Sequence, residues 1–470
     1  MAGFIAAADR DAPMLLPLTV QDFVDANATV RVIDAFVASL DLHSLGFERA
    51  RPSPTGRPGY EPGALLRLYI YGYLNQTRSS RRLERACRTN LEVIWLLRRL
   101  TPDFKTIADF RRDNHAGITG ACTAFVRFCR DAGLFEGATA VIDGTKVAAA
   151  ASRKKVMSAA EIAAETVALD RKIAAYLAAL DASDATERDD DDDTRTQAAL
   201  AKLKQRRAEL VELAETMAAD ERELGVVGEP EARPMGSGTG AKRPSYNVQT
   251  AVDPKSHIVL HHAVTTEATD NRLLHPMARA AKQVLEATTL TAIADKGYAN
   301  ASHAAACEAE KIEPAVPVPK PTNPRGDFFP PDVFLYDAVS DSYTCPAGRK
   351  LLRNGSNERD QAHRYQAADC GGCPLKQSCT TAPRRYVYRS MHYEAVQRMT
   401  ARVSADPSLM TLRCSTVEHP FGTLKAYLGG RFLLRGQLKA ATETALAVLG
   451  YNLGRATKLL GLQALIECLA

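Results

Sequence analysis

The chain predicts a mixed α/β protein preceded by an all-helical region, and three observations carry that reading. At 470 residues it is too long for one ordinary domain, while 46% hydrophobic and 24% charged residues describe a globular chain and exclude a wholly disordered or collagen-like one. From about Leu15 to His115, apolar residues recur at near-helical spacing. From Ala138 the pattern changes to short apolar runs ending in acids, alternating with helical stretches, the order of a mixed sheet with helices against it.

The boundaries that follow are a helical N-terminal domain over 1–135, a first part of the α/β core over 136–157, a helical hairpin insertion over 158–228, and a second part of the core over 229–320. A cysteine-rich insertion over 321–390 and a C-terminal helical part of the core over 391–470 complete the chain.

In the N-terminal domain, Ala64 to Asn75 places Leu65, Leu66, Leu68, Tyr69, Tyr73 and Leu74 at helical spacing after the breaker PSPTGRPGYEPG. Ser79 or Ser80 caps the next helix, which offers Arg81, Arg82, Arg85 and Arg88 to solvent; Lys105, Arg111 and Arg112 follow. Such short helices with arginine-rich faces fit either a helix-turn-helix-like DNA-binding unit or a bundle with an ordinary solvated face.

TAVIDGTKVAAAA opens the core as a strand. Ile162, Leu169, Ile173 and Leu177, facing Leu203, Leu210 and Leu213, predict a helical hairpin whose tip is the run Asp189 to Asp193. GEPEARPMGSGTGAKRP reads as a flexible loop. Its glycines Gly236, Gly238 and Gly240 lack the spacing and the Ser or Thr of a phosphate-binding loop, although Lys242 and Arg243 remain able to touch a phosphate backbone. Two strands around Asp253-Pro254 form a hairpin, Asn271 to Leu285 a helix capped by Asp270, LTAIAD a strand, and Asn300 onward a helix before the strand PAVPV.

Sixty Lys and Arg against 55 Asp and Glu leave a net charge of +5, a mild basic excess partly hidden by the aspartate run. No apolar run reaches the roughly 18 residues of a membrane span, and MAGFIAAADRDAPML meets acid too early for a signal peptide. The expectation is a cytoplasmic protein without a membrane partner. Ten cysteines in such a chain point to metal ligation or buried thiols, not to a disulfide scaffold. Cys345, Cys370, Cys373 and Cys379 lie in one polar, proline-punctuated stretch and supply a tetrahedral set for a structural Zn2+ that would staple an insertion too small for its own core; free thiols in an extended loop are the bland alternative. Cys87, Cys122, Cys129, Cys307 and Cys468 read as packing residues.

Asp143 closes the strand AVID and Asp295 the strand TAIAD. Carboxylates at the C-terminal ends of neighbouring strands can converge on two hard cations, the arrangement phosphoryl transfer needs. Glu418 is the best third acid, with Lys425 seven residues on and so on the same helical face, where it could hold a phosphate. Pro420 is tolerable only if the helix begins close to it. One Asp at a strand end is ordinarily a turn or helix cap. Three acids with Lys146, Lys296 and Arg413 beside them weaken that reading.

VIDGTK, YNVQTAVD, ADKGY and VEHPFGTLK, followed by FLLRG and YNLGR, resemble the DDE transposases of bacterial insertion sequences, in the branch with a cysteine-bearing insertion; PDFKTIADFRRDN resembles the helical domain preceding catalysis in that group. The resemblance implies an RNase H-like core with Asp143, Asp295 and Glu418 as the triad for Mg2+ or Mn2+, and Lys425 with Arg413 on the scissile phosphate. It also implies DNA contacts from the N-terminal arginines and from Lys146, Lys242, Arg243 and Lys296. Double-stranded DNA, as transposon ends and target, would be the partner of a homodimer associated with the nucleoid. Thr411 and Cys414 depart from the Tyr and Arg that related transposases carry seven and four residues before the glutamate. Two other readings stay open: a DNA-binding protein that kept the fold and lost catalysis, and a metal-dependent nuclease without strand transfer.

Overall fold

A computed structural model describes residues 19–51, 58–135, 137–184, 190–236, 242–319 and 328–469. The chain divides into two units, Met1–Phe125 with Ala445–Ala470, and Val126–Thr444.

The first unit begins with α1 (Thr29–Ala38), α2 (Pro62–Leu74), α3 (Ser80–Thr89), α4 (Leu91–Leu96), α5 (Phe104–Asp113) and α6 (His115–Asp131), of which α6 belongs to this unit as far as Phe125. Proline at the first position of α2 forfeits no helical hydrogen bond, and every residue from Pro62 to Tyr73 is buried. Asn90 caps α4 by accepting from Val93 N at 3.0 Å, and Asp103 caps α5 by accepting from Lys105 N and Thr106 N, both at 2.9 Å. Arg81, Arg82, Arg85 and Arg88 are exposed along α3, as is Lys105 on α5. Arg111 corrects the expected basic face: it shares the buried side of α5 with Ile107 one turn back, and its guanidinium lies 5.4 Å from the Tyr69 ring centroid. Arg112 is exposed and paired with Asp109 and Asp113, each at 2.6 Å.

The second unit opens with β1 (Thr139–Ala148) and β2 (Val156–Ser158), then α7 (Ala159–Asp184) and α8 (Asp190–Ala219). The two helices pack through Ile162, Leu169, Leu210, Leu213 and Met217, as their periodicity predicts. Leu177, expected in the same stripe, is exposed. Residues 185–189 lie outside the described residues, so Asp189 does too; α8 begins at Asp190, within the aspartate run. Next come β3 (Leu224–Val226), β4 (Arg233–Met235), β5 (Arg243–Val252), β6 (Val259–Thr265), α9 (Leu274–Leu285), β7 (Leu290–Ile293), α10 (Ala301–Ala309) and β8 (Ile312–Ala315). The expected loop before β5 therefore contains a strand, and Gly238 and Gly240 lie outside the described residues.

The central sheet runs β4-β5-β1-β7-β8, with β6 also on β5; β1 is antiparallel to β5 and parallel to β7, and β8 continues the parallel part. One face buries Ala140, Ile142, Ala292 and Ile312 against Leu274, Met277 and Ala278 of α9. The alternate residues Val141, Ile293 and Ala315 face the other way, as the two-residue period of a strand requires.

The cysteine-rich insertion is a five-stranded antiparallel meander of β9 (Leu335–Asp337), β10 (Ser342–Thr344), β11 (Lys350–Asn357), β12 (Ala362–Ala367) and β13 (Tyr386–Ser390). It corrects the expectation of a segment without a core. Phe334, Tyr343, Leu351, Tyr365 and Val387 are buried together, and Arg389 lies 3.9 Å from the ring centroids of both Tyr336 and Tyr393.

Four helices close the chain: α11 (Tyr393–Ala405), α12 (Ser408–Tyr427), α13 (Gln437–Leu460) and α14 (Leu462–Leu469). Val417 and Phe421 of α12 cover Val141 and Ile293. Contrary to expectation, Pro420 lies inside this helix. Having no N–H, it leaves the Thr416 carbonyl without its helical donor, and His257 Nδ1 stands 3.3 Å from that oxygen in its place. Residues from Ala445 onward group with the first unit, whereas 391–470 was expected to belong wholly to the core. There, Cys122 Sγ donates to Ala445 O at 3.1 Å. Cys87, Cys122, Cys129 and Cys307 are buried as expected; Cys468 is exposed, which corrects its reading as a packing residue. Among the described residues no helix is long and apolar enough to cross a membrane.

Candidate active site

Register decides the site. The parallel pairing of β1 with β7 ends at Val141 opposite Ile293. Asp143 and Asp295 each come two residues later, so the same register sets them side by side. Neither simply closes its strand: β1 continues past Asp143 to Ala148 along β5, and Asp295 lies beyond β7, where Oδ1 accepts from Gly297 N at 2.8 Å and caps a short 3-10 turn.

One guanidinium joins them. Arg413 Nη2, from α12, donates to Asp143 Oδ2 at 2.6 Å and lies 3.8 Å from Asp295 Oδ2. The Asp143 and Arg413 side chains are only 16% and 18% exposed, so water screens this pair weakly. Burial pushes the Asp143 carboxyl above its ordinary value; Arg413 and the Gly144 N–H oppose that, while Asp295 and Asp270 add to it. The aspartates thus stand where positive charge is stabilising.

Behind Asp143 is a polar cluster. Asp270 Oδ1 accepts from Asn247 Nδ2 at 2.6 Å, from Gln249 Nε2 at 2.8 Å and from Lys146 Nζ at 3.3 Å, so Asp270 is a hub and not the cap of α9. Tyr298 OH donates to Gln249 Oε1 at 2.5 Å, and burial raises the Tyr298 phenol. Gly144 passes beneath this cluster. A Cβ there would lie 2.0 Å from Gln249 Nε2 and 3.0 Å from Asp270 Oδ1, which explains a glycine directly after the aspartate. Reading the sequence missed this cluster. Its signal was the N-x-Q alternation in YNVQTAV, two amides on one face of an otherwise apolar strand, which burial obliges to find partners.

The structure does not gather every expected residue. Glu418 and Lys425 are exposed on α12, sharing a face. Glu418 is five residues from Arg413, about 140° around the helix. Among the described residues no group of three or more His, Cys, Asp or Glu is arranged to hold a metal ion. The structure thus brings Asp143 and Asp295 together through Arg413 and leaves Glu418 outside the pair. Lys296 is exposed beside Asp295, Lys146 points to Asp270, and Lys242 and Arg243 are exposed where β5 begins.

Two family models match the chain: one described as Transposase domain (DUF772), over residues 18–113, and one described as Transposase DDE domain, over residues 213–453. The second match covers more than half of the chain. This chain belongs to the DDE transposase family. Asp295, Arg413, Glu418 and Lys425 of this transposase fall inside the second match, whereas Asp143 falls between the two. In sequence, α7 and α8 separate β1, which lies in that gap, from the strands it pairs with. Comparison with curated proteins and with solved structures gave no match.

The cysteines of the insertion also converge. Cys345, Cys370, Cys373 and Cys379 line one cavity of about 20 Å³ with Phe329 and Leu375, without closing to a metal-holding cluster. Cys345 Sγ accepts from Arg349 N at 3.3 Å. Burial raises the Cys379 thiol, Arg385 lowers it, and the other three cysteines raise it again.

Proposed function

We propose that this transposase binds the terminal inverted repeats of its own element, cuts there and joins the ends to target DNA, with Asp143 and Asp295 holding Mg2+ or Mn2+. The observation that carries this is the Arg413 bridge, a cation already seated between two carboxylates in register. The mixed sheet order, antiparallel on one side of β1 and parallel on the other, supports an RNase H-like core. Glu418 and Lys425 enter from the motif VEHPFGTLK, Glu418 as third acid and Lys425 as a phosphate contact.

Divalent ions there would polarise the scissile phosphate and activate the attacking oxygen. Asp143 and Asp295 fix the site through the strand register, and the amide cluster around Asp270 packs against Gly144, the residue next to Asp143. Arg413 neutralises the two aspartates; with a divalent ion held by Asp143 and Asp295 instead, its guanidinium would be available to the phosphate. The exposed Arg81, Arg82, Arg85 and Arg88 of α3 supply phosphate contacts to duplex DNA. The four cysteines line one cavity and, as thiolates drawn closer together, would hold Zn2+ between the β10–β11 turn and the β12–β13 loop.

A nicking assay on end-containing duplex DNA tests the reading. Asp143→Asn, Asp295→Asn and Glu418→Gln each abolish cleavage while duplex binding persists; wild-type cleavage by Glu418→Gln removes Glu418 from the site. Joining of pre-cut ends separates transposition from a plain nuclease. Metal analysis of the purified protein, with Cys373→Ser beside it, tests the zinc. A second reading, a DNA-binding protein without catalysis, is favoured by Cys414 in place of arginine; an Arg413 bridge that Mg2+ fails to displace would leave binding alone.

A further inference from the structure

The two aspartates lie where the central sheet parts. β1 pairs with β7 only as far as Val141 and Ile293. Beyond that point β1 runs on along β5 to Ala148, while Ala294 N donates to Ala315 O of β8 at 3.3 Å. Asp143 is therefore carried by the β1–β5 half of the sheet and Asp295 by the β7–β8 half, and the β1–β7 ladder stops short of both. Register sets the acids side by side, but side chains must hold the two halves at a fixed spacing.

Two ties span the gap, one on each face. On the α12 face it is Arg413. On the face of Gly144, which the two-residue period turns away from that of Asp143, it is Tyr298. This residue ends the short turn that Asp295 caps, its ring is fully buried, and its hydroxyl donates at 2.5 Å to Gln249 Oε1, on β5 opposite Gly144. The direction of that bond is forced. Gln249 Nε2 donates to Asp270 Oδ1 at 2.8 Å and to Asn247 Oδ1 at 3.0 Å, so Oε1 is the atom that faces Tyr298, and the phenol gives the proton. Asp270 is pinned in turn by Asn247 and Lys146. Asn247, Gln249 and Tyr298 are all fully buried, so a bond removed there leaves a polar atom without water to replace it. Arg413 and a divalent ion would compete for the same carboxylates, whereas the Tyr298 tie lies on the other face and stays in place when the ion enters.

We infer that Tyr298 is a positioning residue whose hydrogen bond to Gln249 sets the spacing of Asp295 from Asp143, and with it the affinity of the pair for a divalent cation. The inference rests on the reading that these two aspartates hold the metal. Tyr298 acts from the buried face, through the turn Asp295-Lys296-Gly297, and not as a ligand. Mg2+ demands a near-ideal octahedron of short bonds and Ca2+ accepts looser ones, so a slackened spacing should penalise Mg2+ more.

The test uses the full-length protein without DNA, with Mn2+ binding followed by the loss of its free-ion EPR signal and Mg2+ and Ca2+ measured by competition. Tyr298→Phe, which keeps the ring, should weaken Mg2+ about 10-fold, the low end for an outer-shell partner, and Ca2+ less. Gln249→Met, which removes the acceptor and fills its space, should weaken Mg2+ to the same degree, and the double variant no further than either change alone. It carries the same test if Tyr298→Phe fails to fold. Ile162→Ala, in the remote α7–α8 core, should lower the melting temperature and keep Mg2+ affinity within about twofold. The inference is overturned if Tyr298→Phe or Gln249→Met binds Mg2+ as wild type does, if Mg2+ and Ca2+ weaken equally, if the two changes add, or if Ile162→Ala is as harmful. Asp143→Asn separates this from the reading beneath it. Should that variant lose Mg2+ while Tyr298→Phe keeps it, the inference alone falls; should it bind Mg2+ as wild type does, the metal lies elsewhere and both fall.

Discussion

Replacing Arg413 by glutamine asks directly whether its guanidinium stands in for a metal. The side chain makes one charge-assisted bond of 2.6 Å to a carboxylate that is 16% exposed and a looser 3.8 Å approach to a second. A hydrogen bond to a charged group contributes about 1.5–3 kcal/mol at such a site, so Arg413→Gln should lower stability in EDTA by about 2 kcal/mol. The same contact opposes metal entry. If Mg2+ must displace it, the variant binds Mg2+ more tightly by the same amount, roughly 30-fold. Urea denaturation across a magnesium titration reads both quantities, since a ligand that binds only the folded state stabilises it in proportion to RT ln(1 + [L]/Kd). Equal magnesium-dependent stabilisation of wild type and variant would refute the bridge as a metal surrogate, and an unchanged stability in EDTA would refute the pairing itself.

Three further outcomes follow from the same geometry. Gly144→Ala drives a Cβ to 2.0 Å from Gln249 Nε2 and should cost about 1–3 kcal/mol in urea midpoint analysis; adding Gln249→Ala should return part of that, and full independence of the two changes would contradict the contact. His257→Ala should cost about 1 kcal/mol because it strips the substitute donor from Thr416 O, and Pro420→Ala, which restores a backbone N–H, should shrink that cost; a cycle without coupling would dismiss the explanation. His261 is held by burial at about 4, below its ordinary 6.5, so the folded state binds its proton later than the unfolded one. Stability therefore falls as pH drops below about 6.5 and levels off below about 4, by up to about 3 kcal/mol, and His261→Phe should remove that component from the pH profile.

Much of the order of elements was legible in the chain. The change of period at Ala138, the turn at Asp253-Pro254 and the apolar stripe of Ile162, Leu169, Leu210 and Leu213 each report a local property that a neighbouring turn or helix must satisfy. The family motifs likewise singled out Asp143, Asp295 and Glu418. Local reading failed where a residue's partner is remote in sequence. Arg111 reads as one more surface arginine until α2 supplies the Tyr69 ring above it. Pro420 reads as a helix start until His257 offers a donor from another element.

By itself the amino-acid order determined most of the strands and helices outside the cysteine-rich insertion, and the chemical kinds of side chain available to the site, because periodicity and turn chemistry act over a few residues. Only the folded chain decided which of those side chains meet. Asp143 and Asp295 become neighbours through the parallel register of β1 and β7, across the inserted helical pair, and Arg413 reaches both because Val417 and Phe421 fix the rotation of α12 on that sheet. The same packing turns Glu418 to solvent. A helix rotates about 100° per residue, so the face that buries is set by the surface it lands on.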